Sequence, residues 1–346
     1  MNRASNSESF EIGGVEVAPG QGAVIDLPVA SDYGHGEVVL PLQVVRGRRP
    51  GPQLFLSAAL HGDEINGVEI VRRLLRRPRL TSLRGILIAV PVVNVYGFIT
   101  QSRYLPDRRD LNRSFPGAAK GSLTSRLAHC FHREVLERCT HGIDLHTGSQ
   151  HRANLPQVRA YLAEPEVERM ARSFGTPVIL DAKMRPGSLR QVAQERGVPV
   201  LTYEAGEALR FDELAIRAGV RGILSVMRSI GMLPNTPRLA KLAEPYIAHS
   251  SSWARAPEGG LLRAEVGLGQ SVEEGTVLGR IAGLLGEGEV TVRATVSGVV
   301  IGLTRLPLVN TGDALFHIAS VQEPEAAAEQ VEYYRDALAP DDPEWR

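Results

Sequence analysis

The chain is 346 residues long, which exceeds a single typical core of about 100 to 200 residues and favours one large domain with a smaller one. Basic and acidic residues balance at 39 each, so the chain lacks the excess positive charge with which proteins bind nucleic acids or anionic membrane surfaces. We therefore expect a small-molecule partner and, if the protein is a homo-oligomer, further copies of the chain.

The two cysteines, Cys130 and Cys139, fall in one predicted helix, where nine positions of separation keep their sulfur atoms too far apart to bridge. This cysteine usage is typical of a reducing compartment, and we expect a cytoplasmic location. The N-terminal stretch lacks the apolar core of a signal peptide, and no later stretch has the ~18 consecutive apolar residues that a membrane span needs.

In the first part of the chain, about residues 1–245 with a β-rich segment over about 1–50, compact apolar runs alternate with amphipathic stretches. The runs predict strands at Gln53–Leu60, Ile86–Asn94, Gly142–Gly148, Pro177–Ala182 and Pro199–Gly206. The amphipathic stretches predict helices at Gly67–Arg77, Leu123–Glu137, Glu164–Phe174 and Phe211–Ile230. This alternation predicts an α/β fold with a mixed, mostly parallel sheet flanked by helices.

The amino-acid composition changes at about residue 246, where glycine becomes frequent and the apolar runs become short. Residues 246–322 predict a small β-domain, and their pattern resembles the barrel-sandwich fold of biotinyl and lipoyl carrier domains. Such carriers need an acceptor lysine, but Lys120, Lys183 and Lys241 all lie outside this domain. We therefore expect a packing or substrate-gating role, followed by a partly helical tail over 323–346.

The first motif is HGDE, His61 to Glu64, where a predicted buried strand ends and a helix begins. Ligands of open α/β sheets bind at the carboxyl ends of the strands. A histidine and a glutamate three positions apart can aim a nitrogen and an oxygen at one point, which suits zinc. The HxxE pair alone is weak evidence, because glutamate is common in the chain.

The second motif is DLHTG, which again ends an apolar run. Asp144 and His146 are two apart on a strand and therefore share a face. His146 is a candidate third zinc ligand, which leaves the fourth position to water, as in catalytic zinc sites. Asp144 is a candidate for orienting a ligating histidine. The alternative is a histidine that merely caps the strand end.

A long polar segment, Ser102–Gly117, carries four arginines. Loops of this length without regular structure are uncommon unless they are functional. Guanidinium groups bind carboxylates and developing oxyanions well, but most loop arginines are simply solvated. We therefore expect at most two of Arg103, Arg108, Arg109 and Arg113 to act in a site.

Glu204 ends the apolar run PVLTYEAG and lies at a further predicted strand terminus. A partly desolvated carboxylate there would suit a general base. The competing residue, Glu207, follows a glycine and is expected to begin the next helix, where the helix dipole favours an acidic side chain.

Taken together, these residues occur in the order His61, Glu64, Asn112, Arg113, His146 and Glu204. The set resembles the succinylglutamate desuccinylase and aspartoacylase family, which is related to the zinc carboxypeptidases, over about residues 53–206. The resemblance implies one zinc ion per chain held by His61, Glu64 and His146. It further implies Glu204 as the general base and hydrolysis of the amide bond of a small N-acyl amino acid or N-acylated amine.

The same resemblance assigns the remaining polar residues. Arg103 would stabilise the oxyanion, although an insertion before the DLNR motif leaves Arg108 or Arg109 as alternatives. Asn112 and Arg113 would bind the substrate α-carboxylate, and Arg190 a second carboxylate. We therefore expect a substrate that carries at least one carboxylate.

Two other functions remain open at this stage. One is a metallocarboxypeptidase that acts on peptides, and the other is a non-catalytic zinc-binding protein of the same fold. A set of three ligands with a nearby glutamate argues against the second, because structural zinc sites are normally closed by four protein ligands. A serine hydrolase is disfavoured, since the chain has no GxSxG motif.

Overall fold

The computed structural model describes residues 9–31, 34–235, 244–285 and 288–338. The strands of these ranges are β1 (Phe10–Ile12), β2 (Val15–Val17), β3 (Gly22–Ser31), β4 (Glu37–Arg46), β5 (Arg49–Ala58), β6 (Arg84–Val90), β7 (His141–Gly148), β8 (Arg152–Ala160), β9 (Val178–Asp181), β10 (Val200–Glu207), β11 (Tyr246–Ala248), β12 (Ser250–Arg255), β13 (Gly260–Ala264), β14 (Ser271–Val272), β15 (Val277–Ala282), β16 (Glu289–Arg293), β17 (Gly298–Thr304), β18 (Leu308–Val309) and β19 (Ala314–Ser320). The helices are α1 (Asn66–Leu75), α2 (Val95–Ile99), α3 (Leu123–Glu134), α4 (Pro165–Phe174), α5 (Leu189–Glu195), α6 (Glu213–Ser229) and α7 (Pro324–Asp336).

A large mixed sheet organises the molecule. At its centre, β6, β5, β7 and β10 lie side by side and run parallel. Antiparallel strands flank this centre, with β4 and β3 on one side and β8, β17, β19 and β12 on the other. Beside this path β9 pairs parallel with β8, and β11 pairs parallel with β9. The sheet is therefore mixed, as predicted, but most of its strand pairs outside the centre are antiparallel and not parallel. Only three residues join β7 to β8, and a parallel connection needs about a dozen or more.

Helices cover both faces of the central strands. Along β5, Leu54 and Leu56 belong to the apolar core on one side, together with residues of α1, α4 and α6. Phe55 points to the other side and packs edge-on against Phe131 of α3, with 5.6 Å between ring centroids. Burial on both faces explains why β5 is a continuous apolar run and not an alternating one.

The C-terminal part is rich in strands, as predicted, but its strands divide between two sheets. β13, β15, β16 and β18 form a small antiparallel sheet, while β12, β17 and β19 extend the large one. The predicted tail helix is present as α7, and residues 339–346 lie outside the described residues. The boundary near residue 245 stays a prediction.

The five predicted strands and four predicted helices are all present, with ends that shift by a few residues. The helix predicted over Leu123–Glu137 ends earlier, at Glu134, and β8 and α5 were not predicted from the sequence. The thiols of Cys130 and Cys139 are unbridged, as predicted. Within the described ranges, no helix combines the length and the apolar composition that crossing a membrane requires.

Candidate metal centre and active-site cleft

Three adjacent parallel strands bring the motif residues to one edge of the sheet. His61 and Glu64 follow the end of β5, His146 lies near the end of β7, and Glu204 lies near the end of β10. Glu204 is the cross-strand neighbour of His146. The motifs therefore meet because the carboxyl ends of parallel strands lie at the same edge.

His61, Glu64 and His146 form a compact buried group. Glu64 Oε1 lies 2.8 Å from His61 Nδ1, and Glu64 Oε2 lies 2.7 Å from His146 Nδ1. Candidate ligand atoms of the three residues all lie within 4.8 Å of one another, and each residue is at most 5% exposed. Two nitrogens and a carboxylate oxygen at this spacing match the donors that zinc prefers.

The outer nitrogen of each histidine faces a second carboxylate. His146 Nε2 lies 2.7 Å from Asp144 Oδ2, and Asp144 Oδ1 accepts a hydrogen bond from Ser57 Oγ at 2.7 Å. His61 Nε2 lies 3.2 Å from Asp110 Oδ1. Carboxylates in this position fix the orientation of ligating histidines. Asp144 was predicted from the sequence as an orienting residue, whereas Asp110 was not, although it begins the DLNR motif.

Charge interactions decide the protonation of this group. Burial lowers the pKa of His146, but Asp144 and Glu64 outweigh it, so the pKa is raised well above the usual histidine value. The pKa of His61 is also raised, because Glu64 and Asp110 outweigh burial. Burial works against ionisation of Glu64, yet the two histidines hold its pKa far below normal.

Arg103 lies beside this group. Its Nη1 is 3.2 Å from Glu64 Oε1, and its Nη2 is 3.0 Å from Asp110 Oδ2. Arg108 and Arg109, the alternatives that the sequence left open, are exposed and do not line the cleft. Of these three arginines, only Arg103 is therefore placed where it can reach a group bound next to Glu64.

Asn112, Arg113 and Arg190 all line the same cleft. Asn112 Oδ1 accepts a hydrogen bond from the backbone N–H of Leu189 at 3.0 Å, which joins the DLNR segment to the start of α5. Arg190 Nη2 donates to the carbonyl of Lys183 at 3.2 Å. Burial lowers the pKa of Arg190 to about 10, and the charge of Arg159 acts in the same direction.

Glu204 also faces the cleft, and two residues of β8 contact its carboxylate. Asn154 Nδ2 donates to Oε2 at 2.7 Å, and Arg159 Nε lies 3.4 Å from Oε1. The competitor Glu207 is not among the residues that line the cleft. It ends β10 and does not begin a helix as predicted, because α6 starts only at Glu213.

The C-terminal strands supply a wall of the cleft through Trp253 and His317, two residues that were not predicted from the sequence. Trp253 of β12 stacks on His317 of β19, with 4.5 Å between ring centroids and 5° between the ring planes. The Arg152 guanidinium lies 5.4 Å from the Trp253 ring centroid. Burial lowers the pKa of His317 to about 3, and the nearby Arg159 and Arg185 act in the same direction. His317 is therefore neutral.

A mixed α/β fold with a His-Glu-His group at its strand ends defines an α/β protein with a candidate metal site, and comparison with known proteins identifies the family. A model of the succinylglutamate desuccinylase/aspartoacylase catalytic domain matches residues 50–230. The chain belongs to this family.

Relatives support the same assignment. The chain is 29% identical over 332 residues to N-alpha-acetyl-L-2,4-diaminobutyric acid deacetylase of Halomonas elongata, covering 92% of this chain and 95% of that protein. Among solved structures, a succinylglutamate desuccinylase/aspartoacylase from Rhodobacter sphaeroides is 27% identical, and the product-bound ectoine utilization protein EutE (DoeB) from Ruegeria pomeroyi is 26% identical. Both match with a TM-score of 0.78 and cover 87% of this chain and 95% of theirs. Family and relatives indicate an amide-hydrolysing deacylase.

Proposed function

We propose that this protein is a zinc-dependent hydrolase that cuts the amide bond of a small N-acyl amino acid or N-acylated amine. The observation that carries the proposal is the position of His61, Glu64 and His146 beside Glu204 in one arginine-lined cleft. The name of the Halomonas elongata relative, a deacetylase of an N-acetyl amino acid, supports the same chemistry.

The residues present fit one zinc ion per chain. His61, Glu64 and His146 would hold it, and the donor set is the two-histidine, one-carboxylate set found in hydrolytic zinc sites. Three protein ligands leave a position open, whereas structural zinc sites are normally closed by four. Asp110 and Asp144 would keep the two histidines in the orientation that ligation needs.

When bound, a zinc ion supplies Lewis acidity, which polarises the amide carbonyl and lowers the pKa of water. Glu204 would accept a proton from the attacking water and return it to the leaving amine. Arg103 would stabilise the negative charge that develops on the carbonyl oxygen, a role that needs a fixed donor at the reacting centre.

Positive charge in the cleft indicates the class of substrate. Asn112 and Arg113 would bind the substrate α-carboxylate, since a guanidinium group can form two parallel hydrogen bonds with it. Arg190 would bind a second carboxylate. We therefore propose a substrate with at least one carboxylate, and better turnover of neutral N-acyl amines would contradict this.

The C-terminal strands are proposed to restrict the size of the substrate. The small sheet of β13, β15, β16 and β18 is compatible with one half of a barrel-sandwich domain. Trp253 and His317, from the strands that join the large sheet, line the cleft. A wall of this kind would narrow the cleft and favour small substrates over the peptides that a metallocarboxypeptidase takes.

The test is release of free amine from a panel of N-acetyl and N-succinyl amino acids by zinc-loaded protein, with and without a chelator. Short peptides serve as the matched alternative. We expect chelator-sensitive release from members of the acyl panel and little from peptides. Preferred cleavage of peptides would favour a carboxypeptidase, and no release from any substrate with zinc bound would favour a non-catalytic protein.

A further inference from the structure

Neighbouring β8 places one side chain against each carboxylate oxygen of Glu204, and the contact from Asn154 is a hydrogen bond. Asn154, which is 7% exposed, donates its side-chain N–H to Oε2 at 2.7 Å. Arg159 lies on the other side, with Nε 3.4 Å from Oε1. An amide donor and a cation therefore approach the same carboxylate from two directions along one strand.

A β-bulge creates this arrangement. Cross-strand partners of β10 and β8 are Thr202–Arg159, Glu204–Gln157 and Gly206–Asn154. From Glu204 to Gly206 the chain of β10 advances by two residues, whereas from Gln157 to Asn154 the chain of β8 spans three. Two residues of β8, Leu155 and Pro156, therefore lie opposite the single residue Ala205, and this extra residue is the bulge. Side chains alternate between the faces of a strand, and one extra residue reverses that order. The bulge thus places Asn154 on the same face as Arg159 and Glu204.

A C-terminal strand covers the other edge of β8 at the same point. Gly302 of β17 is the cross-strand partner of Asn154. A Cβ atom at position 302 would lie 2.9 Å from Asn154 Oδ1 and 3.2 Å from His317 Cβ. Since contacts this short force a neighbour to move, glycine at position 302 preserves the position of the Asn154 amide.

These contacts suit a general base in particular ways. A hydrogen bond from a neutral amide fixes the direction of the carboxylate without removing it from proton transfer, whereas an aspartate at the same place would repel it. Bonds to an ionised acceptor are stronger than those between neutral groups. A base that is held in its productive rotamer loses less rate to misorientation.

We propose that Asn154 is a positioning residue for Glu204, and that the β8 bulge and Gly302 of β17 set it in place. The C-terminal strands would then contribute to turnover through the sheet, in addition to forming a wall of the cleft. This inference rests on the proposed function, in which Glu204 is the general base.

A double-mutant cycle tests it on the full-length zinc-loaded protein. Wild type, Asn154→Leu, Glu204→Gln and the double variant are compared by kcat and KM on the best N-acyl substrate. We expect Asn154→Leu to lower kcat about 10- to 100-fold, with KM changed less than about twofold. In the Glu204→Gln background the same substitution should have almost no further effect, because Asn154 acts through Glu204.

Matched variants separate positioning from folding. Asn310→Leu, at an exposed loop residue whose side chain contacts Asp313, should leave kcat unchanged. Gly302→Ala should lower kcat with zinc content preserved. If Asn154→Leu does not fold, Asn154→Ser takes its place, since a serine hydroxyl is too short to reach Glu204.

Equal losses from Asn154→Leu in both backgrounds, or a loss in KM alone, would overturn the positioning role while the amidohydrolase stood. A wild-type protein that released no amine with zinc bound would instead overturn the proposed function, and this inference with it. Thermal melting and zinc content are measured on every variant, so that a folding defect is not mistaken for a positioning defect.

Discussion

Replacing Asp144 with asparagine should weaken zinc binding while leaving all three ligands in place. His146 Nε2 and Asp144 Oδ2 are 2.7 Å apart, and both side chains are less than 5% exposed. Asparagine keeps the shape and one acceptor oxygen but removes the charge that holds the ring. Losing a carboxylate of this kind typically costs 10- to 100-fold in metal affinity, or about 1.4 to 2.7 kcal/mol.

The structure also predicts that Asp110→Asn weakens zinc binding less than Asp144→Asn does. Asp110 lies 3.2 Å from His61 and is 18% exposed, so water can replace it in part. Asp110→Asn should therefore cost less zinc affinity than Asp144→Asn. Competition against a chromophoric chelator measures both affinities, and exposed Asp26→Asn on β3 is the control. Wild-type affinity in Asp144→Asn would refute the proposed role of this carboxylate.

Three further predictions concern pH and stability. Because the pKa values of His61 and His146 are raised, zinc must displace protons from these side chains, and we expect zinc affinity to fall as the pH falls from 8 to 6. Calorimetry in buffers of different ionisation enthalpy measures the number of protons released on zinc binding. Zinc binding without proton release would contradict this prediction. Asn66→Ala should lower the free energy of unfolding by about 2 to 4 kcal/mol in urea titrations, since the buried side chain bonds a carbonyl at the end of β10 and an N–H before α6; a loss below about 0.5 kcal/mol would argue against both bonds. Tyr203→Phe should lower the free energy of unfolding by about 1 kcal/mol in the same assay, because it removes the 2.7 Å hydrogen bond from the Tyr203 hydroxyl to the Ala215 carbonyl. An unchanged urea midpoint would show that this hydrogen bond does not contribute to stability.

The parts of the site that the sequence predicts are those carried by buried central strands. Such strands appear as short apolar runs, and a polar residue at the end of a run must lie at an edge of the sheet. His61, His146 and Glu204 meet this description. Arg103, Asn112, Arg113 and Arg190 were assigned from the family resemblance and line the same cleft, whereas the alternatives Arg108 and Arg109 do not. Their chemical roles remain predictions.

Residues on β8 could not be found in the same way. Pro156 interrupts this segment, and a proline inside a run argues against a strand unless a bulge accommodates it. Asn154 and Arg159 were missed with the strand that carries them. The bulge depends on pairing with β10, which is about 50 residues further along the chain.

The pairing of the outer strands could not be predicted from the sequence either. Pairing of β8 with β17 joins the large sheet to a segment that the change in glycine content had assigned to a separate domain, and β19 and β12 continue the sheet from there. Trp253 of β12 and His317 of β19 line the cleft as part of this extended sheet. Local pattern cannot reveal such contacts, because it reports which face of a strand is apolar and not which strand lies beside it.

Zinc titration of chelator-treated protein, with amine release as the readout, tests the central claim most directly. We expect activity on an N-acyl amino acid to rise linearly and saturate at one zinc equivalent per chain. Glu204→Gln should bind the same equivalent but release almost no amine, and Glu64→Gln should lose binding and activity together. Full activity without metal, or undiminished activity in Glu204→Gln, would contradict the account.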